Sequence, residues 1–208
     1  MVLDPVYPLT SSVNKPGLSH SALARRFLEG GSRFFQVRVK DLPDRDTLAE
    51  LIEIASLCRG FPGARFVVND RCDLAWASGA HGVHLGQSDL PVQHARQLLG
   101  PAAVIGISTH SEEQFLEAND LSVDYIALGP IFQSTSKKGG FAPLGIRLLE
   151  KLAGRTALPV VAIGGITLER APEVWAAGAA SVAVIADIVE HADPAARIRS
   201  YLEAAAIR

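Results

Sequence analysis

Phe66-Val67-Val68-Asn69-Asp70 and Gly82-Val83-His84-Leu85-Gly86-Gln87-Ser88-Asp89, joined by a segment that closes on Ser78-Gly79-Ala80, decide how this chain is read. Each is an apolar run that breaks off into polar, Asp-bearing residues, and the connection between them has the length of one short helix. The stretch reads as a βαβ crossover. Parallel neighbouring strands joined in this way deliver the residues that follow them to one edge of the sheet, which places Asp70 beside Asp89. Two carboxylates at adjacent strand ends suggest a metal site.

Working outward, the same alternation fills the chain. Apolar β runs are expected at Val6 to Leu9, Phe34 to Val39, Phe66 to Val68, Gly82 to Leu85, Val104 to Ile107, Tyr125 to Leu128, Val160 to Ile163 and Ser181 to Ile185. Helical patterns follow them in turn, at Ser19 to Glu29, Asp44 to Arg59, Arg71 to Ala77, Pro91 to Leu99, Glu112 to Ala118, Ile146 to Ala153, Glu169 to Ala177 and Pro194 to Ala206. Strict alternation to eight predicts a single-domain (β/α)8 TIM barrel over residues 1–208, with an open doubly wound sheet as the fallback. Pro91 and Pro194 suit first-turn positions, and Gly30, Gly60, Gly79, Gly100, Gly154 and Gly178 fall where helices should stop. The longest irregular stretch, Gly129 to Gly145, has the length of a functional loop.

Composition narrows the class. With 48% hydrophobic and 20% charged residues and a net charge of −2 over 208 residues, the chain has the apolar content that buried parallel strands require, and it carries no basic patch for nucleic acid. Cys58 and Cys72 are its only cysteines, too few for a disulfide framework or a four-thiolate zinc site. The start, Met1-Val2-Leu3-Asp4-Pro5, has no secretory pattern, and no window approaches the length of a membrane span, so a soluble, cytoplasmic protein is expected.

In a barrel the chemistry sits where the strands end. Gln36, Arg38 and Lys40 alternate with Phe35, Val37 and Val39, so the polar trio shares one face, which is the inner one if the apolar residues pack on helices. Two inward cations need an answering anion. Either Asp70 and Asp89 answer them as an internal ion-pair network, or the trio clamps a polyanionic substrate. Each Asp by itself also reads as a helix cap, Asp70 ahead of Asp73 and Asp89 ahead of Leu90-Pro91. Together, beside the basic trio, they suit Mg2+, which favours one or two carboxylates plus substrate phosphates. Asn69 and Gln87 add hydrogen-bonding capacity. Ser108-Thr109-His110 ends the fifth strand, with Ser111 placed to cap the next helix, and His84 alternates with Val83 and Leu85. For both histidines an acid/base role and a purely hydrogen-bonding one stand open. Ser134, Thr135, Ser136, Lys137 and Lys138 lie among loop glycines and suit phosphate oxygens or plain solvation. Gly164-Gly165 after the seventh strand, and Ile185-Ala186 in and after the eighth, stand where barrels often build a phosphate site from backbone N–H groups.

Taken together, Gln36-Val37-Arg38-Val39-Lys40, Val68-Asn69-Asp70-Arg71, the Gly82 to Asp89 run, Gly106-Ile107-Ser108-Thr109-His110, Leu128-Gly129-Pro130-Ile131-Phe132 and Ala162-Ile163-Gly164-Gly165-Ile166 resemble the thiamine phosphate synthase family over nearly the whole chain. The resemblance implies a transferase that joins hydroxymethylpyrimidine pyrophosphate to a thiazole phosphate and releases pyrophosphate, through a pyrimidine carbocation stabilised by its own amino group. It implies that Gln36, Arg38 and Lys40 hold the pyrophosphate with Asn69 alongside, that Asp70 and Asp89 bind Mg2+, and that Ser108 contacts the pyrimidine and pyrophosphate region. Ser134, Ser136 and Lys137 would close over both substrates. Gly165, Ile185 and Ala186 would receive the thiazole phosphate. A homodimer acting on small molecules, with neither nucleic acid nor membrane as partner, is the implied setting. The chain departs from the family pattern at Gln133-Ser134-Thr135-Ser136-Lys137, usually Pro-Thr-x-Thr-Lys, at Ala186, commonly Ser, and at Ser88, frequently acidic.

Two rival readings remain. A homologous thiazole tautomerase is a similar barrel that shifts a proton without metal, and His110 would be its acid/base group; retention of Asp70, Asp89 and the full basic trio speaks against it. A catalytically silent barrel that binds thiamine-pathway phosphates is the third, with only the loop changes in its favour.

Overall fold

The computed structural model describes residues 3–11, 17–40, 42–133 and 141–207. Their elements run β1 (Val6–Pro8), α1 (His20–Glu29), β2 (Phe34–Val37), α2 (Asp44–Arg59), β3 (Arg65–Asn69), α3 (Cys72–Ser78), β4 (Gly82–Leu85), α4 (Val92–Leu99), β5 (Val104–Thr109), α5 (Glu112–Asn119), β6 (Tyr125–Leu128), α6 (Ile146–Ala153), β7 (Val160–Ile163), α7 (Ala171–Ala176), β8 (Ser181–Val184), α8 (Ala186–Val189) and α9 (Pro194–Ala205). The eight strands form one sheet in the order β1-β8-β7-β6-β5-β4-β3-β2, and every ladder in it is parallel.

What separates a barrel from an open sheet is whether the two edge strands meet. Here Leu9 and Gln36 form a parallel bridge, and the Thr10 N–H donates to the Gln36 carbonyl at 3.0 Å. At the other end of the seam the Asp4 carboxylate accepts from the N–H groups of Arg33 and Phe34 at 2.5 and 3.0 Å. The expected (β/α)8 barrel is therefore the observed fold, and the doubly wound alternative is excluded.

Period-two alternation sorts the strand residues into two apolar layers. Phe35 and Val37 join the large cluster between strands and helices, while Phe34 belongs to the smaller cluster inside the barrel with Tyr7, Val67, Tyr125 and Val161. Three rings plug the interior: Tyr7 stacks on Phe34 with centroids 5.0 Å apart, and Tyr125 meets both edge-on at 5.8 and 5.9 Å. Full burial of each such ring is worth about 2–3 kcal/mol.

Element boundaries differ from the sequence reading where a tertiary partner decides them. β2 ends at Val37 rather than Val39 because the N–H of Arg38 turns to the Thr10 hydroxyl at 3.1 Å. β5 runs on to Thr109 because Leu128 of β6 still pairs with it. Pro91 precedes α4 as its N-cap residue instead of occupying its first turn, whereas Pro194 does open α9.

One element was not expected. The short helix α8 follows β8 directly, and it is tied down by Asp187, whose carboxylate accepts from Arg197 Nε and Nη2, both at 2.9 Å, and from the Tyr201 hydroxyl at 2.7 Å. Arg197 and Asp187 side chains are only 18% and 16% exposed, so loss of one leaves the other poorly compensated. Asp187→Ala is expected to cost about 2 kcal/mol, read as a lower urea midpoint with an unchanged slope.

Candidate active site

Because every strand is parallel, the segments after them all open at one end of the barrel. The Asp70 carboxylate accepts from Lys40 Nζ at 2.6 Å, so residues following β2 and β3 meet as the sequence implied. Both partners are partly exposed, and such a pair is worth at most about 1 kcal/mol. Asp70 has φ +65, the one non-glycine residue of positive φ among the described residues. Its N–H donates to the His84 carbonyl, and the Arg71 N–H reaches back to the Asn69 carbonyl, each at 2.8 Å. That closes a three-residue γ-turn, a strained geometry that costs on the order of 1–3 kcal/mol. From outside, Arg71 braces the turn through Asp44 at 2.7 and 2.9 Å and Asp73 at 2.9 and 2.6 Å.

Neither carboxylate caps a helix, which removes that alternative. The N-cap residues of α3 and α4 are Arg71 and Pro91, with no side-chain capping bond at either. Asp89 instead folds back on its own turn and accepts from the Gly86 N–H at 2.6 Å. Burial pushes the Asp89 carboxyl above its ordinary range; the Gly86 bond pulls it down, while the adjacent Asp70 charge and a carboxyl–carboxyl contact push it up again. The two carboxylates thus lie side by side, with the Lys40 ammonium beside them pulling the Asp89 carboxyl down in part. An all-oxygen pair of this kind fits a hard divalent cation that draws its remaining ligands from water or substrate. Among the described residues no group of three or more His, Cys, Asp or Glu forms a metal cluster, which leaves this two-carboxylate set as the donor set to test.

Inside the barrel the polar residues are linked. Gln36 is 2% exposed and donates from Nε2 to the Tyr7 hydroxyl at 3.0 Å. The Tyr7 and Tyr125 hydroxyls lie 2.8 Å apart, Tyr125 Oη lies 2.8 Å from His84 Nδ1, and His84 Nε2 lies 2.8 Å from Ser108 Oγ. Burial drives both phenols well above their ordinary range, so each remains an O–H. Both ring nitrogens of His84 thus have hydrogen-bond partners inside the barrel. Sequence reading missed Tyr7 and Tyr125; the signal available was a tyrosine within an otherwise apolar strand, whose hydroxyl needs a partner when buried. Gln87 Nε2 donates to the Ser108 carbonyl at 2.7 Å and so braces β4 against β5.

Ser111 caps α5 as expected, accepting from the Gln114 N–H at 3.2 Å. His110 Nδ1 is 2.6 Å from the Gly129 carbonyl, which makes Nδ1 the protonated nitrogen, and its ring stacks on Phe141 with centroids 4.0 Å apart. Gly164 and Gly165, at φ +102 and +62, lie against the segment after β6: a Cβ on the first would meet Pro130 Cβ at 2.5 Å, and on the second the Gln133 carbonyl at 2.4 Å. The close approach this glycine pair permits is thus to the protein's own backbone. Arg170 locks the same corner, donating to the Gly165 carbonyl at 2.7 Å while lying over the Phe132 ring at 4.7 Å. Ile185 is the N-cap residue of α8 and Ala186 its first residue. Ser134, Ser136 and Lys137 lie outside the described residues.

A parallel (β/α)8 barrel whose mouth joins paired carboxylates, strand-end cations and a glycine-built corner defines a barrel enzyme of the kind that handles phosphorylated small molecules. The family described as thiamine monophosphate synthase matches residues 6–188. A thiamine-phosphate synthase of Chlorobium phaeovibrioides is 41% identical over 190 residues, covering 91% of this chain and 90% of that protein. Another, of Methanoculleus marisnigri, is 41% identical over 195 residues, covering 94% and 92%. The solved structure of thiamine phosphate pyrophosphorylase from Pyrococcus furiosus superposes with a TM-score of 0.87 at 31% identity, covering 98% of this chain and 96% of that one. The chain belongs to the thiamine monophosphate synthase family.

The Asp89 carboxyl makes stability depend on pH with a definite sign. Asp89 is raised in the folded state, so the native protein holds that proton longer than the unfolded chain, and the contribution of this group to stability falls as pH rises through the carboxylate range. Asp70→Asn is expected to shrink that fall, measured as urea midpoints of the metal-free protein at several acidic pH values.

Proposed function

We infer that the chain is a transferase that condenses hydroxymethylpyrimidine pyrophosphate with a thiazole phosphate to give thiamine phosphate and pyrophosphate. The observation that carries this reading is Lys40 Nζ on the Asp70 carboxylate, with Asp89 alongside, in a member of this family. A tautomerase has no pyrophosphate to neutralise and no use for that arrangement, and the relatives named above are synthases.

In this reading Asp70 and Asp89 hold Mg2+, which when bound supplies charge neutralisation to the departing pyrophosphate. Arg38 and Lys40 add fixed positive charge where the leaving group accumulates its negative charge. The bond from the pyrimidine methylene carbon to the pyrophosphate oxygen breaks with both electrons going to oxygen. The thiazole nitrogen then donates its lone pair to that carbon. Gln36, Asn69 and Ser108 hold the first substrate, and roles toward both substrates are assigned to Ser134, Ser136 and Lys137, outside the described residues, with Lys137 adding catalytic charge. The thiazole phosphate rests on backbone N–H groups at Gly165, Ile185 and Ala186, which the Ser-to-Ala departure at 186 leaves intact. Holding the nitrogen in line with the methylene carbon is the positional part of catalysis. His110, bound through Nδ1 to the Gly129 carbonyl, keeps its ring at the mouth as a further catalytic candidate.

Thiamine phosphate formation from the two substrates with Mg2+, and its loss in EDTA, tests the whole reading; a folded protein that makes no product but isomerises a thiazole carboxylate phosphate would replace it with the tautomerase. Asp89→Ala is expected to abolish metal-dependent turnover while the circular dichroism spectrum is unchanged. Arg38→Ala is expected to raise KM for the pyrimidine pyrophosphate by about 10- to 100-fold, the worth of a charge-assisted hydrogen bond, with KM for the thiazole phosphate little altered.

A further inference from the structure

The chain of contacts Gln36, Tyr7, Tyr125, His84, Ser108 crosses the barrel interior, and its existence depends on one small residue. His84, Gly106 and Tyr125 are side by side on β4, β5 and β6. A Cβ on Gly106 would meet Tyr125 Cζ at 2.1 Å, so only glycine lets the Tyr125 ring lie across β5 and stack on His84, with centroids 5.5 Å apart and planes 22° from parallel. The two rings bridge strands that are not neighbours.

The sense of every hydrogen bond along this chain follows from its first member. Gln36 presents Nε2 to Tyr7 at 3.0 Å, and an amide nitrogen has only protons to give. Tyr7 Oη therefore accepts from Gln36, and because a buried O–H must itself find an acceptor, its proton is assigned to Tyr125 Oη, 2.8 Å away. Tyr125 in turn gives its proton to His84 Nδ1, and Nε2–H is left to donate to Ser108 Oγ, each at 2.8 Å. Ser108 then keeps its own O–H for a ligand, and Gln36 keeps Oε1. Turning over the Gln36 amide would reverse all four bonds together, giving the site an N–H donor at Gln36 and an acceptor at Ser108. The two ends cannot be changed independently.

We propose that this chain is a specificity device: Tyr7, Tyr125 and His84 act as positioning residues that hold Gln36 as acceptor and Ser108 as donor, and so select a heteroaromatic ring bearing an amino donor and an unprotonated ring nitrogen. The corresponding oxo ring, with a carbonyl and a ring N–H, presents the opposite pair and demands the reversed chain. The proposal rests on the functional reading above and moves Gln36 within it, from the pyrophosphate to the pyrimidine ring, because an amide that gives its nitrogen to Tyr7 offers the site only an acceptor, which a phosphate oxygen has no use for. Gln36 is 2% and His84 6% exposed, so a mismatch leaves buried groups unpaired, and discrimination on the order of 100-fold in kcat/KM between the amino and oxo pyrimidine pyrophosphates is expected.

The first test needs no substrate. In 15N-histidine-labelled protein, at a pH where imidazole is neutral, His84 is expected to show a pyridine-like Nδ1 and a pyrrole-like Nε2; an Nδ1–H tautomer overturns the proposed sense. The second compares kcat/KM for the amino and oxo substrates in the wild type and in Tyr125→Phe, which keeps the ring and its stacking but removes the linking hydroxyl. Discrimination is expected to fall below about 10-fold, mainly through the amino substrate, and to fall likewise in Tyr7→Phe, which cuts a different link. Unchanged discrimination in a folded variant overturns the proposal, and should both variants fail to fold, the wild-type tautomer alone decides it. Turnover of neither pyrimidine would refute the functional reading and leave the tautomer result standing.

Discussion

A closed parallel barrel has a single interior, and whatever fills that interior is also the floor of the site above it. In this protein the filling is aromatic and small residues make room for it: Tyr7, Phe34 and Tyr125 interlock, and Gly106 yields the space that Tyr125 occupies. Burying two tyrosines in such a plug obliges their hydroxyls to find partners. The partners they find are each other, Gln36 and His84, so a packing requirement becomes the hydrogen-bonding pattern of the site.

The mouth of the barrel is built on the opposite economy, since its groups are held in arrangements that cost stability. Asp70 is kept at positive φ in a γ-turn and Asp89 stands half-buried beside it. Repulsion and strain of this kind persist only where the surroundings over-determine them. Here the His84 carbonyl, the Gly86 N–H and the Arg71 brace to Asp44 and Asp73 do so. Held in this way, the carboxylates are already placed to gain from a cation.

The opposite wall is fixed by different means. Gly164 and Gly165 let the segment after β7 press on the segment after β6, Arg170 bonds that corner, and Asp187 anchors α8 to α9 through Arg197 and Tyr201. The backbone on this side is thus tied by side-chain bonds within the wall itself. A phosphate received by main-chain N–H groups needs that rigidity more than it needs any one side chain, which is why Ala186 is compatible with the role proposed for this wall.

Much of this was legible in the sequence, and the limit has a physical reason. Periodicity is a local property, so the eight strands, the alternating helices, the inward face of Gln36 and the adjacency of Asp70 and Asp89 follow from the chain read in order. The cap alternative for Asp70 and Asp89, each taken alone, failed because a side chain's partner depends on backbone turns that neighbours impose, here the γ-turn at Asp70 and the fold-back of Asp89 onto Gly86. Helix α8 escaped because four residues are too few for a periodic signal. The relay from Gln36 to Ser108 escaped because it joins residues of β1, β2, β4, β5 and β6 that only closure of the barrel brings together. The order of residues along the chain determined the fold and which residues reach the mouth. Only tertiary structure decided which of them touch, because hydrogen-bond partners on non-adjacent strands are set by how the interior is filled.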